Sequence, residues 1–356
     1  MKGRVFPALF EFYEVVMAEK ALASRTINEE FAIKILSNNR KERIMRFAPM
    51  IVLVALILVF SVVCGKNFAS TNNFVAILNQ LSIPLLVALG LTFVIMIGSI
   101  DLSIDGTIGM AASLLGVFAL NSRFAYNLGF GAVLIAVGAS VIVGLLIGTI
   151  HVYLRIPSFM VSFAFMYICR GVGLLSYAGQ PPTILDPVMM MIPKMAFLGI
   201  PFITWIALAM LLICIFIQEY TAFGRYIYAV GTDETVLRAI GVSINAVKIK
   251  VFVLAGFCFG IAGVLGAIRL GQGQVGVVAT GLMFPAQTAV VAGGTSLAGG
   301  KGGVIQTIVG VLIITVLENG LLILGVNSYI RTGIQGAIIL AAVAITVARG
   351  SKVISK

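Results

Sequence analysis

The chain has 356 residues, 60% of them hydrophobic and only 10% charged, with a formal net charge of +11. Soluble domains average about 45–50% apolar and about 25% charged residues, so this chain lacks the polar surface to coat a soluble fold. An integral membrane protein is the comfortable class.

Residues 1–46 are charged throughout, with nine basic and six acidic side chains. They lack the short apolar core and cleavage site of a secretory signal. The remaining basic residues sit mostly at the ends of apolar segments, which marks topology and not a nucleic-acid stripe. A transmembrane helix needs about 20 mostly apolar residues. Ten segments qualify: 47–64, 77–98, 102–120, 129–150, 158–178, 201–218, 249–268, 281–298, 303–324 and 331–349. The second, third and eighth abut Gly-rich breaks, and a re-entrant or broken helix there lowers the count toward eight. Placing residues 1–46 in the cytoplasm puts 18 of the 24 Lys and Arg residues on that side, an asymmetry that supports N-in, C-in. The expected fold class is therefore an all-α polytopic membrane protein, a bundle of about ten helices. Its parts are a cytoplasmic segment 1–46, a membrane domain 47–349 and a cytoplasmic tail 350–356.

Within the second and third spans, GSIDLSIDGT (Gly98 to Thr107) places Asp101 and Asp105 between two apolar runs. Charge in lipid is costly and faces a cavity or a partner. A solvated boundary loop, a proton-coupling site and a loop that shapes the pore all fit. Asn79, Gln80, Glu318 and Asn319 also lie in or near spans and can line a polar path. Arg170 can pair with one of these acids or with water. His151 has no acidic or cysteine neighbour, and the four cysteines have no metal or redox spacing, so no catalytic residue, metal ligand or cofactor is expected. Small residues recur at four-residue spacing, Ser140, Gly144 and Gly148, then Gly256 and Gly260; this spacing lets helix backbones approach closely in lipid.

The connection from Ala178 to Pro201 has five prolines and a methionine cluster. It suits a surface for an external partner or a re-entrant segment. The longest inner connection, residues 221–248, carries TAFGRYIYAVGTDETVLRAIGV. Here Thr232 can cap a two-turn helix whose first turn holds Asp233 and Glu234, and Gly241 can stop it. So short a helix is marginal unless it packs on something, whether another subunit, the membrane surface or its own bundle. GQGQVG (Gly271 to Gly276) matches G-x-G-x-x-G but follows a span and leads into no clear helix. GGTSLAGGKGG (Gly293 to Gly303) fails the P-loop pattern: Thr295 stands where its first glycine belongs and Gly302 where its Ser or Thr belongs.

These stretches together resemble the permease subunits of bacterial ABC importers for monosaccharides, the ribose, xylose, arabinose and galactose group. Gly98 to Thr107, Phe223 to Val242 and Val290 to Val304 carry the likeness, and Ile156 to Val172 adds a looser match. Ser99 and Asp105 depart from the family's glycines at those positions. The resemblance implies two permease subunits, a homodimer or a pair of similar chains, embedded in the bilayer. It implies a cytoplasmic ABC ATPase docked on a coupling loop and an extracytoplasmic sugar-binding protein, with no nucleic acid. It assigns the coupling loop to Gly224, Arg225, Gly231, Thr232, Asp233, Glu234, Arg238 and Gly241, and lets Asp101 and Ser103 shape the inner path. ABC permeases for nucleosides, autoinducer-type furanosyl compounds or branched-chain amino acids are the near alternatives. A proton- or sodium-coupled secondary transporter is the alternative of a different class.

Overall fold

The computed structural model describes residues 47–349 apart from Thr280. The expected segments 1–46 and 350–356 lie outside the described residues. The chain divides into two units at Ile51/Val52. Residues 47–51, all helical, are the described part of the first, and residues 52–349 belong to the second.

The helices are α1 (Phe47–Val63), α2 (Thr71–Met96), α3 (Ile104–Phe118), α4 (Phe130–Tyr153), α5 (Ser158–Tyr177), α6 (Pro187–Met191) and α7 (Phe202–Tyr220). Then come α8 (Ala222–Thr232), α9 (Glu234–Ala239), α10 (Ile244–Leu270), α11 (Val275–Ala279), α12 (Met283–Gly293), α13 (Val304–Ile323) and α14 (Ser328–Arg349). Two-residue strands β1 (Ala196–Phe197) and β2 (Ile200–Pro201) form a hairpin just before α7. The all-helical polytopic expectation holds. Among the described residues, six helices are long and apolar enough to cross a bilayer: α2, α4, α5, α7, α10 and α13. The expected second span is one unbroken helix of 26 residues, not a broken one. The third and eighth spans are shortened as their glycines suggest. α3 has 15 residues and α12 has 11, about 22 and 16 Å at 1.5 Å per residue, against a hydrocarbon core of about 30 Å.

α2 and α10 form the centre. Both are apolar on all sides and buried along most of their length, as a helix surrounded by other helices must be. Ser70 caps α2 by accepting from Asn73 N at 3.2 Å, and Ser243 caps α10 by accepting from Ala246 N at 3.3 Å. Gly98 (φ 73°) and Gly271 (φ 67°) take the left-handed conformation that closes each helix. The small-residue stripes allow the close approach expected of them, and the two stripes meet each other. A Cβ on Gly144 would strike the Phe252 carbonyl, and one on Gly256 would strike the Ser140 carbonyl, so α4 and α10 touch backbone to backbone. Hydroxyl pairs tie α2 to its other neighbours: Thr92 to Thr307 of α13 at 2.6 Å and Ser82 to Thr204 of α7 at 3.0 Å.

Candidate functional site

Two regions concentrate polar groups, and they are joined. The first lies inside the bundle. After α2 ends, residues 97–103 run non-helical beside α5. Ser158 Oγ accepts from Ile100 N at 3.0 Å and Ser162 Oγ accepts from Leu102 N at 2.9 Å. Two serines one turn apart thus satisfy backbone donors that lipid would leave orphaned. One turn further along α5, a Cβ on Gly106 would meet the Met166 main chain. Met166 is eight residues, about 12 Å, into α5, so α3 starts well inside the bundle.

Asp101 is 2% exposed, and its Oδ1 accepts from Ser103 N at 2.7 Å. That bond fastens the turn that opens α3. Asp105, in the first turn of α3, accepts from Met283 N at 3.1 Å. Met283 is the first residue of α12, whose own N-cap Leu282 supplies no side-chain acceptor. Asp105 therefore caps a neighbouring helix, which suits an anion at the positive end of a helix dipole. Gln287, on the next turn of α12, reaches back with Nε2 to the Asp101 carbonyl at 3.4 Å. Two half-length helices meet start to start through this clasp, α12 running on to the Gly-rich turn and α3 running the other way.

The second region is the bundle end that holds the Gly-rich turn. Gly300 N donates to Met96 O at 2.9 Å, binding the turn to the C-terminus of α2. A Cβ on Gly231 of α8 would strike both Met96 O and Gly300 N, and one on Gly299 would lie 2.9 Å from Gly98 N. α8, the turn and the end of α2 thus meet main chain to main chain. Within the turn Thr295 Oγ1 accepts from Gly303 N at 3.2 Å, and Tyr228 of α8 donates its hydroxyl to Gly302 O at 2.8 Å. Burial, with the Glu219 charge second, pushes the Tyr228 phenol up, so it stays protonated as that donor. Gln218, buried at the end of α7, accepts from Val304 N at 2.7 Å, the first amide of α13.

Thr221 caps α8 by accepting from Gly224 N at 3.2 Å, and a Cβ on Gly224 would collide with the Gln218 carbonyl. α8 buries Gly224, Ile227 and Val230 and exposes Arg225. For α9 the expected cap is corrected. Thr232 ends α8 and donates to Tyr228 O at 2.8 Å, while Asp233 is the cap, accepting from Thr235 N at 2.8 Å and Thr235 Oγ1 at 2.7 Å. Asp233 wins because its extended backbone aims the carboxylate at the first free amides. The Thr235 hydroxyl first, and its N–H second, hold the Asp233 carboxyl below its ordinary value of 3.8. Glu234 pairs with Lys248 of α10 at 2.7 Å and with Arg238 at 3.6 Å. Gly241 (φ 75°) ends the helix as expected, its N–H donating to Arg238 O at 3.1 Å.

Of the eight coupling-loop candidates, Gly231 and Thr232 therefore abut the Gly-rich turn, and the other six lie on the same α8–α9 segment. The four path candidates are not gathered. Asp101 and Ser103 sit in the clasp. Asn79, whose carbonyl accepts from Arg269 Nη1 at 3.2 Å, and Asn319, buried with its amide oxygen unpartnered among the described residues, lie toward the other end of α2 and α13. Arg170 makes no ion pair among the described residues, though its charge acts on Asp105. Sequence reasoning missed Gln218, Tyr228, Thr295 and Gln287. Gln218 carried a usable signal, a polar amide at the end of an otherwise apolar helix; the others depend on pairings distant in sequence.

A membrane bundle with paired half-helices, stitched to a surface segment of short capped helices, is an arrangement suited to a transport permease. The family model described as branched-chain amino acid transport system / permease component matches residues 73–343. The chain is 34% identical over 311 residues to the ribose import permease protein RbsC of Escherichia coli strain K12, covering 85% of this chain and 94% of the relative. It is 33% identical over 305 residues to RbsC of Bacillus subtilis strain 168, with 84% and 91% covered. It is 30% identical over 310 residues to the autoinducer 2 import system permease protein LsrC of Salmonella typhimurium, with 86% of each covered. No solved structure matches. The chain belongs to this family of multi-pass permeases, transport subunits of the bacterial inner membrane.

Proposed function

We propose that this chain is the permease subunit of an ABC importer that moves a ribose-like monosaccharide. In this reading an extracytoplasmic binding protein delivers the sugar, two permease chains form the path, and two cytoplasmic ATPase subunits drive it. Ten crossings, the six long helices together with α1, α3, α12 and α14, place residues 1–46, the loop 221–248 and residues 350–356 in the cytoplasm.

The observation that carries the reading is the display of α9. Leu237 anchors it in the bundle, while Ile240 is 65% exposed and Arg238 points to solvent. A helix of six residues with one buried anchor among its described side chains is marginal alone, and an exposed isoleucine beside an arginine suits a protein partner. ATPase closure pushes α8 and α9. Because Gly231 abuts Met96 and Gly300, the push reaches the end of α2 and the Gly-rich turn without passing through flexible side chains. From there it reaches the clasp at Asp101 and Asp105 from both sides, along residues 97–103 and along α12. Asp101 serves as a structural acceptor in this scheme, since its Oδ1 already holds the Ser103 amide.

The test is uptake into vesicles reconstituted with this chain, its cognate ATPase and its binding protein. ATP-driven ribose uptake supports the proposal; uptake by this chain alone under a proton or sodium gradient overturns it. The LsrC relative favours one second reading, a furanosyl compound of the autoinducer type, and competition against labelled ribose separates the two.

A further inference from the structure

We infer that the hairpin Ala196–Pro201 is a lipid anchor lying in the bilayer interface, and not a docking surface for a soluble protein. The inference rests on the membrane-spanning reading of α7 and needs neither the sugar nor the ATPase. Phe197 is 60% exposed and Leu198 77% exposed, and Met195 and Lys194 beside them are exposed as well. Such an apolar tip is costly in water. The turn itself adds to the cost. Leu198 (φ 53°) and Gly199 (φ 76°) both lie in the left-handed region, as a two-residue turn of this hand requires, and asparagine or aspartate is the favoured residue where leucine stands.

The surface beneath the hairpin says what covers it. The Phe202 N–H donates to Met195 O at 3.0 Å, so the hairpin closes directly onto the first turn of α7. Trp205, one turn in, donates Nε1–H to Phe197 O at 3.1 Å and packs edge-on against the Phe197 ring with centroids 5.6 Å apart. On α7 Trp205 belongs to the stripe of Phe202, Ala209, Leu212, Phe216 and Tyr220, all five exposed, which in a spanning helix is the lipid face. The hairpin therefore continues that face past the helix end. Phe202 and Tyr220 are 18 residues, about 27 Å, apart, so Trp205 near one end and Tyr220 at the other fall where aromatic side chains line the two interfaces. Lys194 extends from the same segment and can reach lipid phosphates while its stem stays in the apolar layer.

The test attaches an environment-sensitive fluorophore to Leu198→Cys in a Cys64→Ser background, the other three cysteines being buried. The chain is reconstituted in phosphatidylcholine vesicles, with and without nitroxide-bearing lipid. The only tryptophan of the sequence, Trp205, serves as the reconstitution control. Expected are blue-shifted emission, about twofold quenching by nitroxide lipid, and no response to iodide. Emission as in water with quenching by iodide overturns the inference. So does a shift that appears only when the extracytoplasmic binding protein is added, because the occupant is then that protein. Phe197→Cys carries the same label and the same two outcomes where Leu198→Cys does not assemble.

Discussion

Asp105 shows how one side chain can serve a helix other than its own. Its bond to Met283 N supplies the cap that α12 lacks, and a glycine at this position would leave that amide bare. A lost cap costs about 1 kcal/mol. Asp105→Gly is expected to speed amide exchange at Met283 about fivefold, while Asp105→Asn, which keeps an acceptor, stays near the parent; equal exchange in both variants refutes the assignment. The carboxylate of Asp233 is read by pH. Its folded value lies below the ordinary 3.8, so the cap on α9 is intact above that value and is lost as pH falls through the lower folded one. The Thr235 amide shift should titrate with a midpoint under 3.8; a midpoint at or above it would count against the cap. Neither role was legible in the sequence. Asp101 and Asp105 read as boundary residues because hydropathy alone does not reveal that the chain turns back into the bundle after Gly98. Thr232 and Asp233 are adjacent candidates of the same capping class, and only the backbone dihedrals choose between them.

At the level of elements, α8 and α9 are proposed to act as a lever, held to the bundle by main-chain contact at Gly231 and by buried side chains such as Leu237, with Arg225 and Arg238 exposed. Reversing that exposed charge should spare the membrane fold. Arg238→Glu is expected to lower ATP-driven uptake about tenfold, equivalent to about 1.4 kcal/mol of lost coupling, while the amount of chain inserted in the membrane is unchanged. Gly241→Pro should do the same, since proline cannot take the positive φ that ends α9; undiminished uptake in both would dispose of the coupling assignment. The α4–α10 seam is the counterpart inside lipid. Gly256→Leu would drive a side chain into the Ser140 carbonyl, and overpacking of this kind costs about 1–3 kcal/mol or more, visible as a lower melting temperature in detergent. That seam was legible beforehand, because four-residue spacing of small residues needs only the helix period. The shortening of α3 and α12 was legible as Gly-rich breaks, but their meeting start to start was not, for it depends on Asp105 reaching across 178 residues of sequence.

For the whole molecule, the two ends of the bundle differ in kind. One is a knot of glycines and short capped helices; the other carries an apolar hairpin packed on Trp205. The proposed N-in orientation makes a simple prediction. In right-side-out vesicles of a Cys64→Ser background, an impermeant thiol reagent should reach Asn127→Cys, in the exposed connection between α3 and α4, at once and Lys301→Cys only after permeabilisation; the reverse order would invert the topology. Charge asymmetry is the ground for proposing this orientation, and the membrane class followed from composition, whereas the difference between the two ends required tertiary contacts. The knot at Gly231, Gly299 and Gly300 has a genetic consequence. A clash between two side chains can be repaired by shrinking the partner, but here the partner is peptide backbone, which no codon change can trim. Second-site revertants of Gly231→Ala should therefore avoid the facing residues and map to the hinges on either side, around Thr221 and Gly294, where the chain can swing the whole lever outward by a fraction of an ångström.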